Sequence, residues 1–363
     1  MDVMKLLVYV PILTPRIKYI FNFIFNEVLR TEVGFSSNLS EFKSSVLPKI
    51  SYADQPVADE VFFKNSDLLL AHSITRPTIK TTAFGDMIVP FAIERSTLPF
   101  DVFAASFYFV SRYEEYLPYT PDSSESFPPE RSLQNKLKLL SIPVVDAWAL
   151  ILKNLLLKKY PNLFFAKKTY SFVPLICMYP ASEKVLPDWV SFSLRYFRKV
   201  RGMLFKTYEE DDAANRLLTS ATELSAQYNL KSLFFFKPAQ QFDHECDGSM
   251  QLPNSYLELL KTRTGNDYRM GYPSMPGFRA GTCTSFNWYD LQLEKTTSLR
   301  VHPLTVSDLN LQADKHSRFN DTLLLWQQLA ETIKLLNGEF YILLHQEFLK
   351  EDGKAKKIFD LLT

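Results

Sequence analysis

The apolar positions along the first part of the chain fall into alternating strand-like and helix-like runs. Residues 5–12 are almost continuously apolar and read as a buried strand. From Arg16 to Arg30, Ile17, Ile20, Phe21, Ile24, Phe25 and Val28 recur at three- and four-residue spacing, which predicts a helix. Residues 68–71 are a second strand candidate. Residues 100–116 (FDVFAASFYFVSRYEEY) carry Val102, Phe103, Ser106, Phe107 and Val110 on one stripe, a core-facing helix that ends in a charged turn. The Pro- and Ser-rich stretch 117–130 lacks periodicity and reads as a loop. Residues 143–159 (PVVDAWALILKNLLLKK) read as an amphipathic helix whose terminal lysines suit the negative end of its dipole. Composition changes over 160–169, and we place a domain boundary at 165/166.

The second half alternates strand and helix patterns. Strands are expected at 170–178, 232–237, 299–303 and 340–345. Helices are expected at 213–228, near 255–262 and at 323–336, the last stopping at Asn337-Gly338. Such alternation favours a parallel α/β arrangement. The fold class expected is therefore α/β, with an N-terminal α/β domain (1–165) and a second domain over 166–363.

A chain of 363 residues fits two domains. Its 30 Phe and 18 Tyr suit either aromatic cores or a sugar-stacking surface, and composition leaves both open. With 41 basic and 40 acidic residues there is no field to steer nucleic acid. Three cysteines, 177, 246 and 283, argue against a disulfide framework and for a reducing, cytoplasmic compartment. The apolar N-terminal run is broken by Pro11, Pro15 and Arg16, so neither a signal peptide nor a membrane span is expected.

Four places carry chemical potential. His345 ends an apolar strand in YILLHQEF, where a general acid or base could sit, with Glu347 as an orienting carboxylate. Arg279 lies between two glycines in GFRAGTC and could bind a carboxylate, stabilise an oxyanion or brace its own loop. Cys177 and Tyr179 follow another strand, with no basic neighbour to activate the thiol, so a buried structural cysteine is expected. His244 and Cys246, with Asp243 and Asp247, form a short cluster too small for a structural zinc site. The chain has no GxGxxG, P-loop, GxSxG or HExxH sequence, which removes most nucleotide-binding and common hydrolase classes.

The segments FDVFAASFYFVSRYEEY, VVDAWA (144–149), FFF (234–236), GFRAGTC (277–283), YDL (289–291) and LLHQE (343–347) together resemble polysaccharide-deacetylase-like proteins of the Bacteroidetes type that carry an extra N-terminal α/β domain. The resemblance spans nearly the whole chain. It implies a partial (β/α)7 barrel over 166–363, a divalent metal (zinc) held by one Asp and two His, an Asp base and a strand-end His acid. The chain departs from that pattern at the decisive positions. Where the family has Asp-x-Asp, this sequence has Cys177 at the base position and Tyr179 at the metal-ligand position. The interval 237–276, where the metal-binding histidines should lie, looks shortened. Ser124-Glu125-Ser126 precede Phe127 where relatives carry His-Gly-Arg. Only His345 and Arg279 match.

The resemblance therefore implies a pseudoenzyme with no metal and no cofactor. Such a protein could keep binding of a glycan or cell-envelope polysaccharide, with Glu347, Asp290 and Trp288 as contact candidates, or act as a scaffold. The alternative is a metal-dependent N- or O-acetyl deacetylase with a site rebuilt from Asp243, His244, Asp247 and His345.

Overall fold

The computed structural model describes residues 5–122, 126–178, 212–236, 250–313, 319–350 and 353–362. Strands β1 (Leu6–Tyr9), β2 (Val33–Ser36), β3 (Lys49–Ala53) and β4 (Val61–Lys64) form a parallel sheet in the order β2-β1-β3-β4. The expected first helix is α1 (Pro15–Asn22), which continues as a π-helical segment, Phe23–Val28. Thr14 caps α1 by accepting from the Ile17 amide, and Pro15 occupies the first turn, where its missing N–H costs nothing. Helix α2 (Leu39–Ser44) follows β2.

The strand expected at 68–71 is instead a 3₁₀ turn, Asp67–Leu69. Its apolar run is short enough to suit either element, and tertiary bonds decide the matter. The Leu68 carbonyl accepts from Arg16 Nη1 (2.9 Å) and the Leu69 carbonyl from Thr14 Oγ1 (2.6 Å). Strands β5 (Thr81–Phe84) and β6 (Met87–Pro90) make a small antiparallel hairpin.

Helix α3 (Val102–Val110) is buried on every side, beyond the one stripe expected from sequence. Asp101 caps it and also accepts from the Tyr52 hydroxyl (2.6 Å), which anchors the helix start to β3. The short α4 (Leu133–Lys136) and the long α5 (Val144–Lys159) complete this half.

The second half is built on β7 (Ser171–Met178), β8 (Leu233–Phe236), β9 (Asn266–Met270), β10 (Phe286–Asp290), β11 (Lys295–Ser307) and β12 (Glu339–His345). The sheet order is β10-β11-β12-β7-β8, with β9 also paired to β11. All pairings are parallel except β10 with β11, and the sheet curves as a half-barrel. Helices α6 (Asp212–Gln227), α7 (Asn254–Lys261), α8 (Leu309–Ala313), α9 (Phe319–Leu335), α10 (Gln346–Leu349) and α11 (Lys354–Leu362) accompany it.

Strand β12 shows why both faces are apolar. Phe340, Ile342 and Leu344 pack on Trp326, Ile333 and Phe359 of the helices, while Tyr341 and Leu343 join Leu175, Cys177 and Leu304 on the opposite face. Burial on both faces produces the continuous hydrophobic run that marks parallel strands. The 237–276 interval supplies α7 and β9 among its described residues. Phe235 of β8 and Tyr268 of β9 meet edge to face with centroids 5.6 Å apart, so the two outer strands touch through side chains.

The largest core does not respect the boundary at 165/166. Tyr19, Phe107 and Trp148 share one buried cluster with Phe286, Trp288, Tyr289, Leu299 and Val301.

Candidate functional site

Two polar centres emerge from this frame. The first joins the two halves. At the end of α3 the chain turns through Arg112, held in the left-handed region (φ 54°), into the 3₁₀ segment Tyr113–Tyr116. This turn aims Arg112, Glu114 and Glu115 at the GFRAGTC loop. Arg279 makes a two-point ion pair with Glu115, Nε to Oε1 at 2.9 Å and Nη2 to Oε2 at 2.7 Å, and Nη1 donates to the Gly271 carbonyl (3.1 Å). Arg112 donates to Glu115 (2.7 Å), Glu114 (3.1 Å), the Tyr272 hydroxyl (3.0 Å), Gln134 (3.1 Å) and the Arg279 carbonyl.

The planar forks of the two arginines account for this many bonds in one dry space. Burial pushes the Glu115 carboxyl up, but Arg279 and Arg112 more than reverse this and hold it below the ordinary carboxylate range. Glu114 keeps the opposite balance, and burial raises it. Burial also pushes the Tyr272 phenol up to about 12.

The glycines of the loop are explained by the same contact. Gly277 (φ +140°) would place a Cβ 2.7 Å from the Leu140 carbonyl, and Gly281 (φ +68°) would place one 3.2 Å from Phe109. The following residues dock on α5. Asp146, from VVDAWA, accepts from the Cys283 amide (3.1 Å) and from the hydroxyls of Thr282 and Thr284. The segments that carry the resemblance thus grip one another, and Arg279 is a bracing residue at the junction.

The second centre lies at the C-terminal ends of β11 and β12. His345 Nδ1 is 2.6 Å from Asp308 Oδ1, and the His345 amide donates to Asp308 Oδ2 at 2.8 Å. The Ser307 hydroxyl donates to Asp308 Oδ1 (3.2 Å), and the Asp308 amide donates to the Leu343 carbonyl (3.0 Å). The two contacts from Asp308 fix the imidazole ring by its Nδ1 side, the arrangement that orients a general acid or base. Cys177 is the register partner of His345 on the adjacent β7. It is buried and disulfide-bonded, which corrects the expectation of a chain without disulfides.

The remaining candidates lie elsewhere. Glu347 is exposed and accepts from Gln346 Nε2 (3.2 Å), and the carboxylate that meets His345 Nδ1 is that of Asp308. The only sequence signal for Asp308 was its place in LTVSDLN, an acid at a strand end just before a helix. Trp288 is buried between the halves, with Nε1 donating to the Tyr116 hydroxyl (3.2 Å). Asp290 caps the turn after β10 by accepting from the amides of Gln292 (2.9 Å) and Leu293 (3.1 Å). Neither offers a surface to a glycan. Tyr179, Asp243, His244, Cys246 and Asp247 lie outside the described residues.

Among the described residues no helix is long and apolar enough to cross a membrane. Comparison with curated proteins and with solved structures finds no match. A family of unknown function (DUF7033) matches residues 6–161. That match contains Arg112, Glu114, Glu115 and Asp146, and stops short of Arg279 and the strand-end pair.

Proposed function

We propose that the chain is a catalytically degenerate relative of the polysaccharide deacetylases, whose C-terminal half is a shortened (β/α)7-type barrel that retains a strand-end site for a glycan or serves as a scaffold. The observation that carries this reading is the disulfide at Cys177. The resemblance puts the catalytic base at that position, and a disulfide sulfur is neither a proton acceptor of useful basicity nor a thiolate ligand.

The family's zinc would need one Asp and two His. The described strand-end donors do not fit that group. Among the described strand-end residues His345 is the one histidine, with Nδ1 turned to Asp308, and Cys177 is disulfide-bonded. The same disulfide sits poorly with the cytoplasmic location expected from the cysteine count, because reducing compartments keep thiols free.

The 2.6 Å His345–Asp308 contact favours a second reading, in which acid–base capacity survives in a deacetylase with a rebuilt metal site. One experiment separates the two. Full-length protein is incubated with acetylated chitooligosaccharides and peptidoglycan fragments, with and without added zinc or cobalt, while glycan binding is followed by calorimetry. We expect acetate release no higher than a heat-killed control, and any glycan binding to weaken in His345→Ala. Acetate release that His345→Ala abolishes would establish the second reading instead.

A further inference from the structure

The strand-end pair is tied to the junction between the halves through one side chain with no role so far. Asn310, in α8, is buried. Its Oδ1 accepts from the Ser307 amide at 2.8 Å, which alone would be a local turn. Its Nδ2, however, donates to the carbonyls of Pro273 (2.8 Å) and Tyr272 (3.3 Å), 37 and 38 residues away.

Ser307 directly precedes Asp308 and bonds its carboxylate, so the Asp308 side chain is aimed by backbone that Asn310 holds. Tyr272 in turn belongs to the junction: its hydroxyl accepts from Arg112 Nη2, and its ring lies beneath the Arg279 guanidinium, 5.0 Å from the centroid. A continuous route of packed and bonded groups therefore runs from Glu115 through Arg279, Tyr272, Asn310 and Asp308 to His345.

We propose that Asn310 is a positioning residue that sets the Asp308 carboxylate against His345, and that the Arg112–Glu115–Arg279 cluster governs the strand-end site through it. This rests on the reading of His345–Asp308 as the working part of that site. Loss of the Asn310 amide releases the strand end from the 272–273 turn, while the fold keeps its apolar core. A residue that merely adds stability would lower the melting temperature without altering the pair.

The test is proton NMR of the full-length protein. The proton on His345 Nδ1, assigned by its loss in His345→Gln, should resonate far downfield and exchange slowly because it is held by a carboxylate. Asn310→Ala and Asn310→Asp should each shift this resonance upfield and speed its exchange several-fold. Tyr272→Phe, which keeps the carbonyl but loses the Arg112 bond, should move it less. Leu329→Ala, a cavity variant in the helix layer, should lower the melting temperature and leave the resonance in place. An unchanged resonance in both Asn310 variants, or an equal change in Leu329→Ala, overturns the proposal. Should Asn310→Ala not fold, Asn310→Asp carries the measurement. The readout is independent of glycan binding and acetate release, so failure here is distinguishable from failure of the functional reading.

Discussion

Arg279 and Glu115 lie 164 residues apart and meet as a two-point ion pair from which water is excluded on both sides. A buried pair of this kind gives modest net stability when whole and a large penalty when halved, because the surviving charge has no solvent. Here the second guanidinium, Arg112, shares the same carboxylate.

Arg279→Ala should therefore destabilise the protein by about 3–5 kcal/mol, more than an apolar truncation of the same area would explain. The joint replacement Arg279→Met with Glu115→Leu should cost less than either single change. Denaturant unfolding of Arg279→Ala, Arg279→Met, Glu115→Leu and the double variant checks this, and additive losses would show that the two side chains act separately.

Asp146 should behave as a polar keystone. It accepts from the Cys283 amide and from the Thr282 and Thr284 hydroxyls. Asp146→Ala strands three donors in the interior, for which we expect a loss of about 3 kcal/mol. Hydrogen exchange should show the Cys283 amide losing protection before the strands of the half-barrel do.

His302 should give the protein an acid-side weakness. Burial pulls its imidazole down to about 4, with its ring stacked on Tyr268 and Nε2 bonded to Asn266. Its folded value lies below the unfolded 6.5, so the unfolded chain binds the proton more readily. The stability from this group is whole above pH 6.5 and is lost as pH falls toward about 4, a loss of up to ~3 kcal/mol. Glu114 and Asp101, raised by burial, contribute in the opposite sense, so the difference between wild type and His302→Gln is the quantity to measure. Urea midpoints at pH 7, 5 and 4 should converge for the two proteins as the pH falls, and parallel curves would contradict the assignment.

Gly338 lies so close to Cys283 that an added Cβ would come within 2.3 Å of its sulfur and 2.9 Å of Ile333. Gly338→Ala should cost about 1–3 kcal/mol by overpacking. Adding Cys283→Ala should restore part of that loss, since it removes the nearer of the two atoms. A double variant as unstable as the sum of the singles would place the strain elsewhere.

Elements marked by a clear period or an unbroken apolar run could be read from the sequence because a single chain segment specifies them. Helix α5 was expected one residue from its start, and β7, β8 and β12 within one residue at each end. Strands β2, β3, β4 and β9 were not, because Gly or polar residues interrupt each short run, whereas the equally short β8 is apolar throughout. The site divided in the same way. His345 was visible as a polar residue ending an apolar run. Asp308 was hidden, because its partner is 37 residues away and no local pattern links them. Arg279 was visible but ambiguous, since a glycine-flanked cation suits a ligand or a brace equally, and only Glu115 decided it.

The shared core around Tyr19, Phe107 and Tyr289 means that the core of the first half draws on residues beyond the family match. Tyr289 packs on Tyr19 at 4.8 Å and on Phe107 at 5.4 Å, yet it lies far beyond residue 161, where the family match ends. A fragment cut at that point would hand a band of aromatic rings and the unpaired Arg16, parted from Glu294, to water. Transplanting the first half onto another C-terminal sheet would require carrying the β10–β11 hairpin with it. The hairpin is chemically a piece of the N-terminal core that happens to be encoded downstream.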